Sequence, residues 1–287
     1  MKHKNNKKIA IIGHGFVGKA TDWGFNKNID KFIFDPKYNT NYSDLYSFNP
    51  EMVFVCVPTP MSSDGSQDLS IVESTTKMLL KRCPDSIIIL KSTIVPSALS
   101  KLLKISRNLI YNPEFLREKY ANEDFVNSPM IIFGGDRNIA EKVSKLYLDH
   151  SRCVNKDHIF TDLLSAALIK YSINTFLATK VIFFNEIKDI FEQLDVNDSW
   201  EKIIRTISLD LRIGSSHMDV PGHDGRRGFG GACFPKDSLA FAKCAKELGC
   251  ELSVLTAAIK TNNKIRSQYK TLDKRESEQN VSFDDKI

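Results

Sequence analysis

A chain of 287 residues, 42% hydrophobic and 26% charged, has the length of about two domains and the composition of an ordinary globular protein. No apolar run reaches the ~18 residues of a membrane span and the N-terminus lacks an apolar signal core, so the expected location is the cytoplasm, with no membrane partner. Much of the formal net charge of +5 comes from Met1 to Lys8; the rest is dispersed and lacks interleaved aromatics, so that cluster reads as a solvated tail and not a nucleic-acid contact.

Ile9 to Ile12 is an apolar run of the kind a buried strand carries. Gly13-His14-Gly15-Phe16-Val17-Gly18 follows it, and Lys19 to Lys27 can then be helical. In such a G-x-G-x-x-G turn the first glycine makes the turn, the second admits a pyrophosphate and the third lets helix and strand pack. A second strand, Lys31 to Asp35, ends in an acid 17 residues after Gly18. An acid there can bond the ribose hydroxyls and repel a 2′-phosphate, which favours NAD over NADP, although Lys37 weakens the preference. Further strands are expected at Met52 to Val57, Ser86 to Leu90, Asn108 to Tyr111 and Met130 to Phe133, with helices such as Leu69 to Arg82 and Ile139 to Leu148 between them. Alternation of this kind indicates an α/β fold, a doubly wound parallel sheet of Rossmann type, over residues 1–160. Ligands bind beyond the C-terminal ends of such strands. The segments expected there are Pro58 to Pro60, Lys91 to Pro96 and Asn112 to Glu118.

From Thr161 to Leu194 there is neither glycine nor proline, and Thr161 is a plausible N-cap for a helix about 50 Å long. It should lead into a small helical domain, residues 161–269. Lys170 and Asn174 lie four apart and share one face of it. An ammonium is costly to bury without a partner, so the plain expectation for Lys170 is a side chain that snorkels to solvent. Helices follow at Trp200 to Leu211, at Lys236 to Leu248 with Gly249 as C-cap, and at Leu252 to Arg266, with a glycine-rich polar loop from Gly214 to Gly231. Residues 270–287 are charged and nearly free of large apolar side chains, so disorder is expected.

The six cysteines, in a large chain without a signal, do not suggest disulfides, and no C-x-x-C pair suggests zinc; no metal is expected. Cys56 reads as core. Cys233 differs: it sits in Gly228-Phe229-Gly230-Gly231-Ala232-Cys233-Phe234-Pro235-Lys236-Asp237, where glycines allow close approach of backbone to a ligand. A thiolate is the reactive form, Lys236 can supply a cation that favours it, and Asp237 can hold or activate a water.

Taken together these motifs resemble the UDP-glucose/GDP-mannose dehydrogenase family. The match consists of the glycine turn, V-P-T-P at Val57 to Pro60, K-S-T-x-x-P at Lys91 to Pro96, N-P-E-F-L-R-E at Asn112 to Glu118, K-x-x-x-N at Lys170 to Asn174, R-I-G at Arg212 to Gly214, and the cysteine segment. The resemblance implies two NAD-linked oxidations of a sugar C6, from alcohol through aldehyde to carboxylate, with UDP-glucose going to UDP-glucuronate; GDP-mannose, a UDP-N-acetylhexosamine, or a silent nucleotide-binding module are the alternatives. Gly13, Gly15, Phe16, Val17, Gly18, Asp35, Val57, Pro58, Thr59, Pro60, Ser92, Thr93, Glu118 and Lys236 would hold NAD. Glu114, Phe115, Leu116, Arg117, Glu118, Lys170, Asn174, Phe229, Gly230, Gly231 and Cys233 would line the sugar pocket, and Arg226 and Arg227 would bind the diphosphate. Thr93, Lys170 and Asp237 are candidates for proton removal, Cys233 for the nucleophile, Lys170 and Asn174 for the oxyanion, and Glu114 or Asp237 for the hydrolytic base. Arg212 would reach the neighbouring site of a homodimer made through the helical domain. The family's third domain, with its F-K-x-x-T-x-D-x-R motif, is not found in the sequence, so weaker binding of the substrate nucleotide is expected.

Overall fold

The computed structural model describes residues 6–25, 28–103, 106 and 108–284. Residues 1–5, and with them most of the basic cluster, lie outside this range, as do residues 26–27 and 285–287. The chain divides into two compact units, residues 1–59 with 68–170, and residues 60–67 with 171–287. The division falls inside a helix, not at the expected position 160.

In the first unit β1 (Lys7–Ile12) leads through the glycine turn to α1 (Phe16–Gly24), followed by β2 (Ile29–Phe34), α2 (Tyr42–Phe48), β3 (Met52–Val55), α3 (Ser70–Arg82), β4 (Ile87–Leu90), α4 (Pro96–Leu103) and β5 (Leu109–Tyr111). A single 3-10 turn, Glu118–Tyr120, precedes α5 (Ala121–Val126), β6 (Ile131–Gly135), α6 (Arg137–His150) and β7 (His158–Thr161). The seven strands form one sheet in the order β2-β1-β3-β4-β5-β6-β7. All neighbours are parallel except β5 and β6, which pair antiparallel through Ile110 with Gly135 and Tyr111 with Gly134. The sheet is thus the expected doubly wound, predominantly parallel one, with one antiparallel pairing and an additional edge strand, β7. Lys7 and Lys8, expected in a tail, already belong to β1, where Lys7 pairs with Glu51 at 2.5 Å.

The central strands are buried on both faces, which is why β3 reads Met-Val-Phe-Val without alternation. Tyr147 of α6 stands among Phe25, Phe54, Phe125 and Phe133 at centroid distances of 4.8 to 6.3 Å. Aromatic pairs of this kind contribute about 0.5–1.5 kcal/mol each beyond burial.

The helix α7 (Leu163–Gln193) is 31 residues long, about 46 Å. Its cap is Asp162 and not Thr161: the Asp162 carboxylate accepts from the Ser165 amide at 2.9 Å, while Thr161 ends β7. Averaged over a window, α7 is apolar enough to cross a membrane, but half of that window is buried in protein and Lys170, Asn174 and Asn185 on it are buried, the pattern of a core helix.

The second unit continues with α8 (Trp200–Ile207), α9 (Phe234–Glu247), α10 (Ser253–Arg266) and α11 (Lys274–Glu278). Gly249, at φ +74°, supplies the left-handed turn after α9. One core joins Ala178 and Ile182 of α7 to Phe229, Leu255, Ala258 and Ile259; a second joins Phe184 to Trp200, Ile204, Met218 and Val220. The expectation of disorder from residue 270 is corrected for residues 270–284. A capping box between Asp273 and Glu276 starts α11, and Glu276 is fully buried.

Candidate active site

In the first unit the three glycines of the β1–α1 turn have distinct surroundings. Gly13 has φ +87°, and a Cβ there would lie 2.7 Å from the Cys56 carbonyl oxygen. A Cβ on Gly18 would lie 2.0 Å from the Gly13 carbonyl oxygen, so only glycine lets α1 pack on the turn. A Cβ on Gly15 would meet nothing within 4 Å. The open position is the one a pyrophosphate needs, at the N-terminus of α1, so the turn fits a dinucleotide.

Asp35, just after β2, is buried. Its carboxylate accepts from the His14 amide at 2.6 Å and the Lys37 amide at 2.9 Å, so it also ties β2 to the glycine turn. Burial alone would raise this carboxyl; the two amides, with the nearby positive charge of Lys37, outweigh it and hold the group below its ordinary value. The stabilisation is therefore full above the unfolded value near ~3.9 and is lost as pH falls through the depressed folded value. Asp35→Asn is expected to flatten the acid limb of the stability curve in urea titrations, and Asp35→Ala to weaken NAD at least tenfold in calorimetry. Unchanged NAD affinity in the alanine variant would remove the ribose assignment.

The three segments expected beyond the strand ends lie there. Thr59 donates to the Thr93 carbonyl at 3.2 Å, and Ser92 to the Val57 carbonyl at 2.7 Å, which joins the V-P-T-P and K-S-T segments. Thr59, Ser92 and Thr93 are buried, Phe16, Val17 and Pro60 half-buried, and Pro58 exposed. Cys56 behaves as expected of a structural thiol, pushed up to about 12 by burial.

Lys170 does not snorkel. Its ammonium donates to the Glu114 carbonyl oxygen at 2.5 Å, lies 3.6 Å from Glu114 Oε1 and sits 5.1 Å from the centre of the Phe115 ring. Glu114 Oε2 accepts from the Leu116 amide at 2.6 Å. Arg117 instead forks onto Asp124 at 2.8 and 3.0 Å at the surface, and Glu118 is exposed. Lys91, which opens the K-S-T segment and has no chemical role assigned above, is buried as well. Lys91 donates to Asn112 Oδ1 at 2.9 Å, and that oxygen also accepts from the Tyr147 hydroxyl at 2.6 Å. Burial lowers its pKa, opposed by Cys56 and Glu114. Its signal was a lysine directly following the apolar strand β4.

In the second unit Cys233 immediately precedes the first turn of α9, where helix amides favour an anion. Asp237 is fully buried and both its oxygens are engaged: Asn174 donates to Oδ2 at 2.9 Å and Lys236 to Oδ1 at 2.5 Å. Lys236, expected as the cation beside the thiol, is also the ion-pair partner of Asp237.

The glycine loop is held from behind. Gly228 donates to Asn185 Oδ1 at 3.0 Å, Phe229 to Asn262 Oδ1 at 2.6 Å, and Gly231 to Glu276 Oε1 at 3.1 Å. A Cβ on Gly230 would lie 2.0 Å from an Arg266 nitrogen, whereas one on Gly231, at φ +78°, would meet nothing within 4 Å. So Gly228 and Gly230 serve packing against the protein itself, and of the three glycines just before Cys233 only Gly231 keeps open space. The two arginines of the expected diphosphate clamp are also committed. Arg226 donates to the Thr271 carbonyl at 2.7 Å and stacks on Tyr269; Arg227 pairs with Asp189 and donates to the Asn185 carbonyl at 2.9 Å. Both thus also anchor the loop within the protein. Arg212 is exposed and forks onto Asp210.

Two family models match the chain: residues 37–150 match the UDP-glucose/GDP-mannose dehydrogenase family NAD binding domain, and residues 164–264 match its central domain. Among curated proteins, the UDP-glucose 6-dehydrogenase of Rickettsia bellii (strain RML369-C) is 35% identical over 234 residues, 79% of this chain and 52% of its own. The chain spans about half the length of the curated relatives it matches. Among solved structures, a UDP-glucose dehydrogenase from Pyrobaculum islandicum superposes with TM-score 0.76 at 24% identity, covering 92% of this chain and 69% of that one. A UDP-D-ManNAc dehydrogenase from Pyrococcus horikoshii gives TM-score 0.72 at 20% identity, with 91% and 69% covered. Both likenesses concern the fold.

Proposed function

Because the chain belongs to the UDP-glucose/GDP-mannose dehydrogenase family, with an NAD-binding N-terminal domain, we propose that it oxidises the C6 hydroxymethyl group of a nucleotide-linked hexose to a carboxylate. The observation that carries this reading is the environment of Cys233: a cysteine at the head of α9, after an open Gly231, with Asp237 one turn on and fixed by Asn174 and Lys236. NAD, when bound, takes up one hydride in each of the two oxidations. The Cys233 thiolate adds to the aldehyde carbon, which makes a thiohemiacetal with a C–H that can leave as hydride. The resulting thioester is cut by water, which releases the carboxylate and restores the thiol. Lys170 and Asn174, each carrying N–H donors, stabilise the oxyanions that develop at these steps. Glu114 or Asp237 takes the proton of the hydrolytic water.

UDP-glucose is the proposed substrate, supported by the names of the curated relatives. Steady-state NADH formation with NAD and a panel of UDP- and GDP-hexoses tests it. Turnover of GDP-mannose or a UDP-N-acetylhexosamine alone would transfer the proposal to that substrate, and binding without NADH formation would replace it by a silent module.

A homodimer through the helical unit is part of the proposal. Phe176, Phe183 and Ile190 recur every seven residues along α7 and are 54 to 64% exposed, with Leu209 and Leu211 more exposed still. Sedimentation equilibrium is expected to give a dimer. Mixing Arg212→Ala with Cys233→Ser chains should then leave about one working site in two within the mixed dimers, because one of their sites keeps both residues. A monomer at working concentration ends this part.

A further inference from the structure

Arg266, the last residue of α10, is 2% exposed, and Glu276 in α11 is fully buried. Arg266 donates to Glu276 Oε1 at 2.6 Å and to Asp224 Oδ2, in the glycine-rich loop, at 2.7 Å. Glu276 Oε1 also accepts from the Gly231 amide at 3.1 Å, and Glu276 Oε2 from the Asp273 amide at 2.9 Å. One buried carboxylate thus binds the end of α10, the start of α11 and the backbone two residues before Cys233. Removing one partner of such a pair leaves an uncompensated buried charge, so the arrangement holds its members tightly. The lack of a side chain at Gly230 admits it, since a Cβ there would lie 2.4 Å from Glu276 Oε1.

We infer that Glu276, seated by Arg266, is a positioning residue for the Cys233 thiol: the segment after α10 sets the backbone from which the nucleophile is presented. This rests on the proposed thiol chemistry for its catalytic meaning, but not for its geometry. Nothing in the charged sequence from Lys270 onward announces it, and none of the residues assigned above to substrate or cofactor belongs to this segment.

The test compares full-length wild type, Glu276→Ala and Glu276→Gln by amide hydrogen exchange and by steady-state kinetics. In Glu276→Ala, exchange across Gly228 to Cys233 is expected to quicken at least tenfold while the β1–β4 strands keep their protection. The kcat for nucleotide-sugar oxidation should fall at least tenfold with the KM for NAD changed less than twofold. Glutamine keeps an acceptor for Gly231 but loses the charge that Arg266 faces, and should recover about a third to a half of the lost kcat. Unchanged exchange in Glu276→Ala overturns the inference, as does a loosened loop with kcat intact. If Glu276→Ala does not fold, Glu276→Gln carries the test: exchange at least threefold faster in the loop supports the brace, and wild-type exchange overturns it. A wild type that reduces no NAD with any nucleotide sugar sinks the proposed function, and the exchange comparison then decides the brace by itself.

Discussion

Cys233→Ser is expected to reduce carboxylate production at least roughly thousandfold while NAD affinity stays within a factor of two. A serine hydroxyl in this position is a far weaker nucleophile at neutral pH, whereas the residues expected to hold NAD around the β1–α1 turn are left unaltered. Activity is read from NADH absorbance under steady state, and the cofactor affinity from calorimetry. Mass spectrometry of the wild type, quenched in turnover, should find the hexose acyl group on the peptide carrying Cys233. A serine variant that makes carboxylate at the parent rate removes the covalent route altogether.

The second large effect concerns the β1–α1 turn, where two alanine substitutions separate folding from binding. Gly18→Ala puts a methyl 2.0 Å from the Gly13 carbonyl oxygen, which forces α1 off the sheet. It is expected to cost about 3 kcal/mol in urea denaturation, the upper end for overpacking, and to abolish NAD binding. Gly15→Ala, with φ −73° and open space around its Cβ, should change stability by no more than about 0.5 kcal/mol. Yet that methyl enters the space a pyrophosphate occupies, so NAD affinity should fall at least tenfold. Equal stability losses in the two variants would mean that the three glycines do not have the separate roles their surroundings indicate.

Local patterns were legible where one principle governed. The uninterrupted apolar runs of β1 and β3, the glycine turn and the unbroken run of α7 each follow from a single periodicity or a single steric need. Misreadings arose where two signals competed or where partners lay far apart in sequence. Thr161 and Asp162 are both capping residues, and the pairing of β7 with β6 claimed the first, which left Asp162 to cap. The tail carries a D-x-x-E capping signature at Asp273 and Glu276, but its high charge argued for disorder; the burial of Glu276 depends on Arg266, which composition does not announce. The partners that Arg226 and Arg227 hold within the protein were likewise out of view, since only the fold brings Thr271, Asn185 and Asp189 within their reach. The antiparallel β5–β6 pairing has no local signature, because strand direction is fixed by the connection between them.

Lys170 and Asn174 sit on one continuous helix, and this constrains what insertions and deletions the gene tolerates. A single codon inserted between them would rotate everything downstream by about 100° about the helix axis and carry Asn174 away from the face it shares with Lys170. Seven codons would misalign the two by only about 20° but separate them by a further ~10 Å. Length polymorphism should therefore be missing from this stretch of coding sequence while it accumulates in exposed loops such as the one after α8, even where point substitutions on the outer face of the helix are freely accepted.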